Sequence, residues 1–287
     1  MTWHDIADPN DPQLDRLAAD YQIHPLHIED CRHRGQRGKV EEGPGYEFVV
    51  VKPVQVCTDE ELEFHDLDIF IGDDWVITVR EGDPESSGKL LDPIHKLTSL
   101  NPAQVLYRIF DATVDSYLPV TDRMDDVIDD LEEAVLADPT PDVLSRIFRA
   151  RRMLIELRRV LTNTRDVAAH LYRTEHTLIP ADVLPFLRDV YDHVARNLDL
   201  VETQRDLLAG AMDVYLSSVA NRTNQVMKVL TILGTVALPA LVISGFFGMN
   251  LKGLPFSDSG YGTVIVSGLM MGSTVLLLIL LRFLKWL

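Results

Sequence analysis

The chain has 287 residues, of which 46% are hydrophobic and 25% charged, and its formal net charge is −17 at pH 7. Such an acidic surface repels nucleic acid phosphates and concentrates cations, so we expect no DNA or RNA binding. The two cysteines, Cys31 and Cys57, form no CxxC pair and predict no disulfide framework. Residues 231–287 hold one acid and three bases, which leaves 43 acids and 24 bases in residues 1–230. The acidic part and the apolar part are therefore separate.

The first hundred residues mix strand and helix signals. Runs rich in β-branched and aromatic residues, bounded by Gly, Asp or Pro, predict strands at 46–57, 67–71 and 75–80. Helices are predicted at 12–21 and 87–100. We therefore predict an α/β cytosolic domain over residues 1–100.

Strand signals end at residue 101. Apolar residues recur at helical spacing over 102–137 and 140–172, and Asp138-Pro139-Thr140-Pro141 separates the two runs as a stop and restart signal. This pattern predicts a cytosolic helical hairpin within residues 101–180.

The longest predicted element is a stalk helix that continues into a membrane span, over residues 181–250. From 182 to 249 only Pro239 interrupts the pattern, and it lies in an apolar segment where proline is tolerated. Roughly 65 residues at 1.5 Å each make a rod of about 100 Å. No compact monomer buries such a rod, so we infer a homo-oligomer. Two helices broken near Gly210 are the alternative.

Two uncharged runs, 229–251 and 259–281, are each long enough to cross a hydrocarbon core of about 30 Å. Both are expected to be helical, because backbone groups in lipid must satisfy their own hydrogen bonds. Basic residues flank the pair at its two outer ends: Arg222, Lys228, Arg282 and Lys285. The positive-inside rule then places both termini in the cytoplasm and residues 251–262 outside, with 263–287 as second span and tail.

The predicted fold is thus an α+β cytosolic domain followed by long helices and a two-helix transmembrane hairpin, in the inner (plasma) membrane. The first span ends in Gly248-Met249-Asn250. Further segments carry a family resemblance: HPLHIED at 24–30, FLRDVYDH at 186–193, DVYLSSV at 213–219, NQVMKVLT at 224–231, Pro239, FFGMN at 246–250 and KWL at 285–287.

With these motifs in order, the chain resembles the CorA family of divalent-cation (Mg2+/Co2+) channels, the GMN-motif metal ion transporters. The resemblance implies a funnel-shaped homopentamer, and not an enzyme, that passes hydrated Mg2+, and often Co2+ or Ni2+, into the cytoplasm. The first span would line the pore and the second would form an outer ring in the lipid bilayer.

Gly248, Met249 and Asn250 are the predicted selectivity filter. Mg2+ gives up its water reluctantly, so a ring of neutral carboxamides can hydrogen-bond the hydrated ion without holding it too long. The simpler alternative is that Asn250 only caps a helix end.

The predicted pore face lies upstream on the same helix. It comprises Asn224, Met227, Leu230, Thr231, Leu238 and Leu241, with Val242 as the alternative to Leu241. By resemblance, Asn224 forms an inner carboxamide ring, while Met227 and Leu230 form an apolar constriction that gates by dewetting. Ordinary core packing is the alternative for these apolar residues.

By resemblance, Asp30 and Asp189 of neighbouring subunits bind regulatory Mg2+, and Glu29 and Asp111 complete a second, weaker site. Bound Mg2+ would screen carboxylates that otherwise repel and favour the closed state. An acidic run at 122–133 is expected to be a solvated face, with an accessory cation-attracting role as the alternative.

Three departures from the family pattern stand out. The chain begins well inside the usual N-terminal domain, so its first strands are expected to be missing. The outer loop lacks a Met-Pro-Glu-Leu motif, and the tail lacks a run of lysines.

Two rival functions remain. One is a ZntB-like Zn2+ transporter coupled to protons. This function is favoured by four residues of zinc-ligand type that lie close together in the sequence: His24, His27, Cys31 and His33. The other is an anchored enzyme or scaffold, against which the sequence shows no Gly-rich phosphate loop and no nucleophile–base arrangement.

Overall fold

The structure is a computed structural model that describes residues 1–33, 35–58, 61–80, 84–97, 99–173, 178–249, 255–256 and 260–284, without the side chains of 56–58 and 84–88. The chain divides into two compact units, Met1–Tyr215 and Leu216–Leu287.

The first unit contains seven strands in the described part of the chain. They are β1 (Thr2–Ile6), β2 (Lys39–Gly43), β3 (Tyr46–Val51), β4 (Val54–Thr58), β5 (Glu61–Phe64), β6 (Leu67–Ile71) and β7 (Trp75–Arg80). Five of them form one sheet in the order β1-β7-β6-β3-β2, and β4 and β5 form a separate antiparallel pair. Within the large sheet β1 is parallel to β7, and the other neighbours are antiparallel.

The predicted strands over 67–71 and 75–80 have the observed bounds, whereas a single strand over 46–57 is wrong. The chain leaves the large sheet after Val51 and starts the small one at Val54. Pro53 lies at this change of sheet, and proline has no N–H to donate to a ladder. The strands β1, β2 and β5 and the helix at 25–32 were not predicted.

Eight helices follow the strands or lie between them in the described residues. They are α1 (Pro12–Asp20), α2 (Pro25–Arg32), α3 (Pro84–His95), α4 (Pro102–Asp115), α5 (Leu118–Ala137), α6 (Pro141–Arg173), α7 (Leu184–Phe247) and α8 (Gly262–Phe283).

The helix predicted over 102–137 is two helices. It is interrupted at Ser116 and Tyr117, just before Pro119, which cannot donate a backbone hydrogen bond. The buried Tyr117 hydroxyl instead donates to the carbonyl of Lys52, 2.8 Å away. This bond ties the junction of α4 and α5 to the chain between the two sheets.

Two apolar clusters cover the two faces of the large sheet. On one face Phe48, Phe70 and Ile77 pack with residues of α1 and α2. On the other, Val49 and Ile69 belong to a cluster with α3 to α7. Alternate strand residues point to opposite faces, so this division follows from the period of two in β3 and β6. The sheet is therefore a layer between helices.

The helix α7 is continuous from Leu184 to Phe247, so the alternative of a break near Gly210 is wrong. Its buried residues run from Leu187 to Tyr215, all within the first unit. In the second unit, the most apolar 18-residue stretch of α7 has a mean hydropathy of 2.2 and is not buried at all. The helix α8 reaches 2.5. Both are long and apolar enough to cross a membrane.

Candidate functional site

The end of α7 has a steric requirement for glycine. The N–H of Gly248 donates to the carbonyl of Ser244 over 2.8 Å. A Cβ on Gly248 would stand 2.9 Å from that same oxygen, closer than real Cβ contacts allow. Met249 follows and is exposed. Asn250, the residue predicted to select the ion, lies outside the described residues.

The predicted pore residues all belong to one uninterrupted helix and are solvent-exposed in the single chain. The exposed fraction is 55% for Met227, 62% for Leu230 and Leu238, and 69% for Leu241. Asn224 and Thr231 are exposed as well, and the Thr231 hydroxyl donates to the Met227 carbonyl at 2.8 Å. Soluble monomers rarely expose an apolar surface of this extent, which is typical of surfaces that contact a membrane or another protein.

Asp30, on α2, already forms an ion pair within the chain. The Nζ of Lys39 lies 2.6 Å from Asp30 Oδ2 and 2.8 Å from Glu41 Oε1. Burial works to lower the pKa of Lys39, but hydrogen bonds with Asp30 and Glu41 outweigh it and raise that pKa. A divalent cation at Asp30 must therefore compete with the Lys39 ammonium.

Glu29 is exposed on the same helix. It lines a groove of about 470 Å³ together with Asp15, Arg32 and His33. The ring of His33 is hydrogen-bonded to the Glu29 backbone carbonyl at 2.8 Å.

Asp111 belongs to a cluster between α4 and the start of α7. Ligand atoms of Asp111, Asp115 and His193 all lie within 4.8 Å of one another. His193 Nε2 is also 3.7 Å from Asp189 Oδ2. Burial, and then the nearby negative charge of Asp115, raise the pKa of Asp111. Two carboxylates and an imidazole suit a divalent cation. The imidazole favours a transition metal over Mg2+.

The structure thus joins Asp111 and Asp189 through His193, and pairs Asp30 with Lys39. Asp115 and His193 were missed as candidate ligands. A signal for them exists in the sequence, because each lies four residues after a predicted ligand and therefore on the same helix face.

Among the described residues, His24, His27, Cys31 and His33 do not gather into a cluster of metal ligands, so the structure gives the zinc hint no support. His27 contacts the Tyr46 hydroxyl at 2.8 Å and Glu41 at 2.9 Å, and burial is the main cause that lowers the pKa of its ring. His24 accepts from the N–H of Leu26, and Cys31 is buried, which raises the pKa of its thiol. Among the described residues, the only potential metal cluster of three ligands is the one around Asp111.

The acidic run on α5 is a solvated face, as expected for most of its members. Its exposed residues are Asp122, Asp125, Asp126, Asp129, Asp130 and Glu133, with Glu132 half-buried. Asp125 also accepts a hydrogen bond from the buried Gln204 of α7, at 2.7 Å.

Comparisons with known proteins agree over the whole chain. The family model described as CorA-like Mg2+ transporter protein matches residues 1–282. The cobalt/magnesium transport protein CorA of Thermotoga maritima is 35% identical, over 100% of this chain and 83% of that protein. The complete structure of the CorA magnesium transporter from Methanocaldococcus jannaschii aligns with a TM-score of 0.87 at 25% identity, covering 99% of this chain and 91% of that one.

A ZntB cytoplasmic domain from Vibrio parahaemolyticus aligns over 77% of this chain and 88% of that chain, with a TM-score of 0.62 at 11% identity, a likeness of fold alone. The full-length matches and the two exposed apolar helices assign the chain to the class of metal-ion membrane transporters, not to a class of enzymes. The chain belongs to the CorA family.

Proposed function

We propose that this protein is a homopentameric channel that takes up hydrated divalent cations, Mg2+ first and Co2+ or Ni2+ as well, across the plasma membrane. The observation that carries this proposal is the exposed apolar end of α7, which runs into Gly248-Met249-Asn250 in a chain of the CorA family. Both termini face the cytoplasm, and 251–262 form the outer loop.

Asn250 selects the ion in this proposal. Five neutral carboxamides hydrogen-bond the water shell and release the ion again, because they carry no net charge. The contact that a Cβ on Gly248 would make with Ser244 supports a tightly shaped helix end immediately before this ring.

Met227 and Leu230 close the pore by dewetting, and Asn224 forms the inner carboxamide ring. Support comes from their exposure in the single chain and from the unbroken helix, which puts them on one face with Thr231. The remaining pore-lining residues of the proposal are Leu238 and Leu241.

Asp30, Asp189, Glu29 and Asp111 hold regulatory Mg2+ between protomers. The donor set fits, because Mg2+ prefers carboxylate oxygens and keeps several waters. The ion supplies positive charge that offsets repulsion among these acids. The chain's own contribution is the pairing of Asp30 with Lys39, which sets the ion concentration at which the site fills.

Purified protein in proteoliposomes tests the function. We expect Mg2+ uptake down its gradient, independent of a proton gradient, and a loss of about tenfold or more in Asn250→Ala. The matched control is Gln225→Ala, which removes a carboxamide outside the proposed filter, about 100° around the helix from the proposed pore residue Asn224. Zn2+ uptake that requires a proton gradient would instead establish the ZntB-like function, and normal Mg2+ flux in Asn250→Ala would reject the filter.

A further inference from the structure

The first unit carries a groove of about 540 Å³ whose charge is opposite to that of the whole chain. Four arginines line it, together with Thr162 and Asn163: Arg37, Arg158, Arg159 and Arg205. Its lining contains no carboxylate in the part of the chain that the structure describes. A net charge of −17 repels anions in general, so this concentration of guanidinium groups is a local feature.

Three separate elements supply the arginines. Arg158 and Arg159 lie on α6, a helix with eight arginines and three acids, Arg205 lies on α7, and Arg37 lies in the segment before β2. The groove therefore depends on the packing of α6 against α7 and on the path of the chain into β2.

Arg37 is held in place from two sides. The N–H of the preceding residue, Gln36, donates to Asp66 Oδ2 at 2.8 Å. The Nε of Arg37 donates to Asn163 Oδ1 at 2.7 Å, and Asn163 is only 8% exposed. This bond uses one of the five N–H donors of the guanidinium group and fixes its plane. A positioned cation of this kind loses less entropy when it binds a ligand.

Two of the four positive charges have no acidic partner in the part of the chain that the structure describes. Arg158 pairs with Glu202 at 3.2 Å, and Arg205 lies 3.6 Å from the highly exposed Asp206. For Arg37 and Arg159, no carboxylate lies within 4.0 Å among the described residues. An anion in the groove would offset the mutual repulsion of these groups.

We propose that this groove binds a small polyphosphate anion, a ligand with two or more linked phosphoryl groups. The planar fork of arginine matches phosphate oxygens with two parallel hydrogen bonds, and several forks favour several phosphoryl groups. The volume lies within the range of small-molecule sites, about 300–1,000 Å³. Ile155, which also lines the groove and is 53% exposed, offers an apolar surface to a nucleobase.

Two sources share this chemistry, a nucleoside triphosphate and inorganic polyphosphate. Isothermal titration calorimetry on the full-length protein in detergent distinguishes them, after divalent metal has been removed by EDTA and dialysis. The ligands are ATP, sodium tripolyphosphate, AMP and orthophosphate. We expect both triphosphates to bind at least tenfold more tightly than AMP or orthophosphate. Tighter binding of ATP than of tripolyphosphate would indicate that Ile155 contacts the nucleobase.

Substitutions assign the binding to the groove. Arg159→Gln and Arg37→Gln should each weaken triphosphate binding by about tenfold, the usual effect of one hydrogen bond between charged groups. Arg16→Gln removes an exposed arginine on α1 that does not line the groove, and should leave binding unchanged. Far-ultraviolet circular dichroism on each variant shows that the fold is kept.

The proposal is overturned if no triphosphate binds, which would also be the result if an acidic segment of a second copy filled the groove. It is equally overturned if Arg16→Gln weakens binding as much as Arg159→Gln. The assay contains no divalent cation and measures no transport, so its failure is distinct from failure of the proposed channel.

Discussion

The two units of this chain place the same kinds of side chain in opposite environments. In residues 1–215 Ile69 and Leu106 are completely buried, whereas Leu241 and Leu276 in residues 216–287 are each 69% exposed. The first unit buries its apolar residues in its own core, and acidic residues outnumber basic ones in its sequence. The second leaves its apolar surface exposed, because a pair of helices cannot bury it alone.

The largest effect should come from the core of the first unit. Leu106→Ala leaves a cavity in the helical layer against the sheet and should destabilise the unit by about 2–5 kcal/mol. Leu136→Ala, at a position that is 74% exposed, should change stability by less than about 0.5 kcal/mol. Chemical denaturation followed by circular dichroism measures both. Equal effects would mean that Leu136 is covered in the assembled protein.

Charge insertion sharpens the contrast between the two exposed surfaces. Leu276→Arg on α8 should oppose membrane insertion by about 2.5–3.5 kcal/mol, since it places a cation near the centre of a span. Leu136→Arg, at a similarly exposed position in the first unit, should be nearly neutral. The membrane-integrated fraction after carbonate extraction is the measurement. Full integration of Leu276→Arg would show that α8 does not face lipid at that position.

Polar substitution at the proposed gate tests which face of α7 closes the pore. Met227→Ser should raise Mg2+ leak at high internal Mg2+ by about tenfold, because a polar ring keeps water in the constriction. Val229→Ser is the control: it is 57% exposed against 55% for Met227, but points about 160° away on the helix. Flux into dye-loaded proteoliposomes is compared for the two. If Val229→Ser leaks and Met227→Ser does not, the pore face has been assigned to the wrong side.

The smallest effect concerns the pairing of Asp30. Lys39→Met removes the ammonium group 2.6 Å from the carboxylate, so regulatory Mg2+ should bind without displacing it. The internal Mg2+ concentration that halves transport should fall about twofold to fivefold, the effect expected from a partly exposed ion pair. Lys96→Met, an exposed lysine on the first unit, should leave it unchanged. If this concentration rises or does not change in Lys39→Met, Asp30 is not part of the Mg2+ sensor.

Local patterns in the sequence predicted most of the elements but not their interruptions. The strands at 67–71 and 75–80 and the continuous helix α7 follow from periodicity and composition within one segment. The break at Ser116 and Tyr117 was missed, because the hydroxyl of Tyr117 is satisfied by Lys52, a residue 65 positions away. The short helix α2 was missed as well, although His24 caps its first turn.

The candidate site shows the same division. Asp111 and Asp189 were proposed from motif position, but His193 joins them only because α4 packs beside the start of α7. The spacing of residues in the sequence does not indicate that Asp30 pairs with Lys39. Nor does it indicate that His24 and His27 each bond a different partner.

The sequence alone determined that two apolar helices follow a large acidic unit, because hydrophobicity and helical length are properties of a continuous segment. It also determined the glycine at the end of α7, whose contact with Ser244 is local. Only the tertiary structure decided the strand order, the partner of Asp30 and the gathering of Arg37, Arg158, Arg159 and Arg205 in one groove. These depend on contacts between segments far apart in the chain, which packing of the whole unit selects and no local pattern encodes.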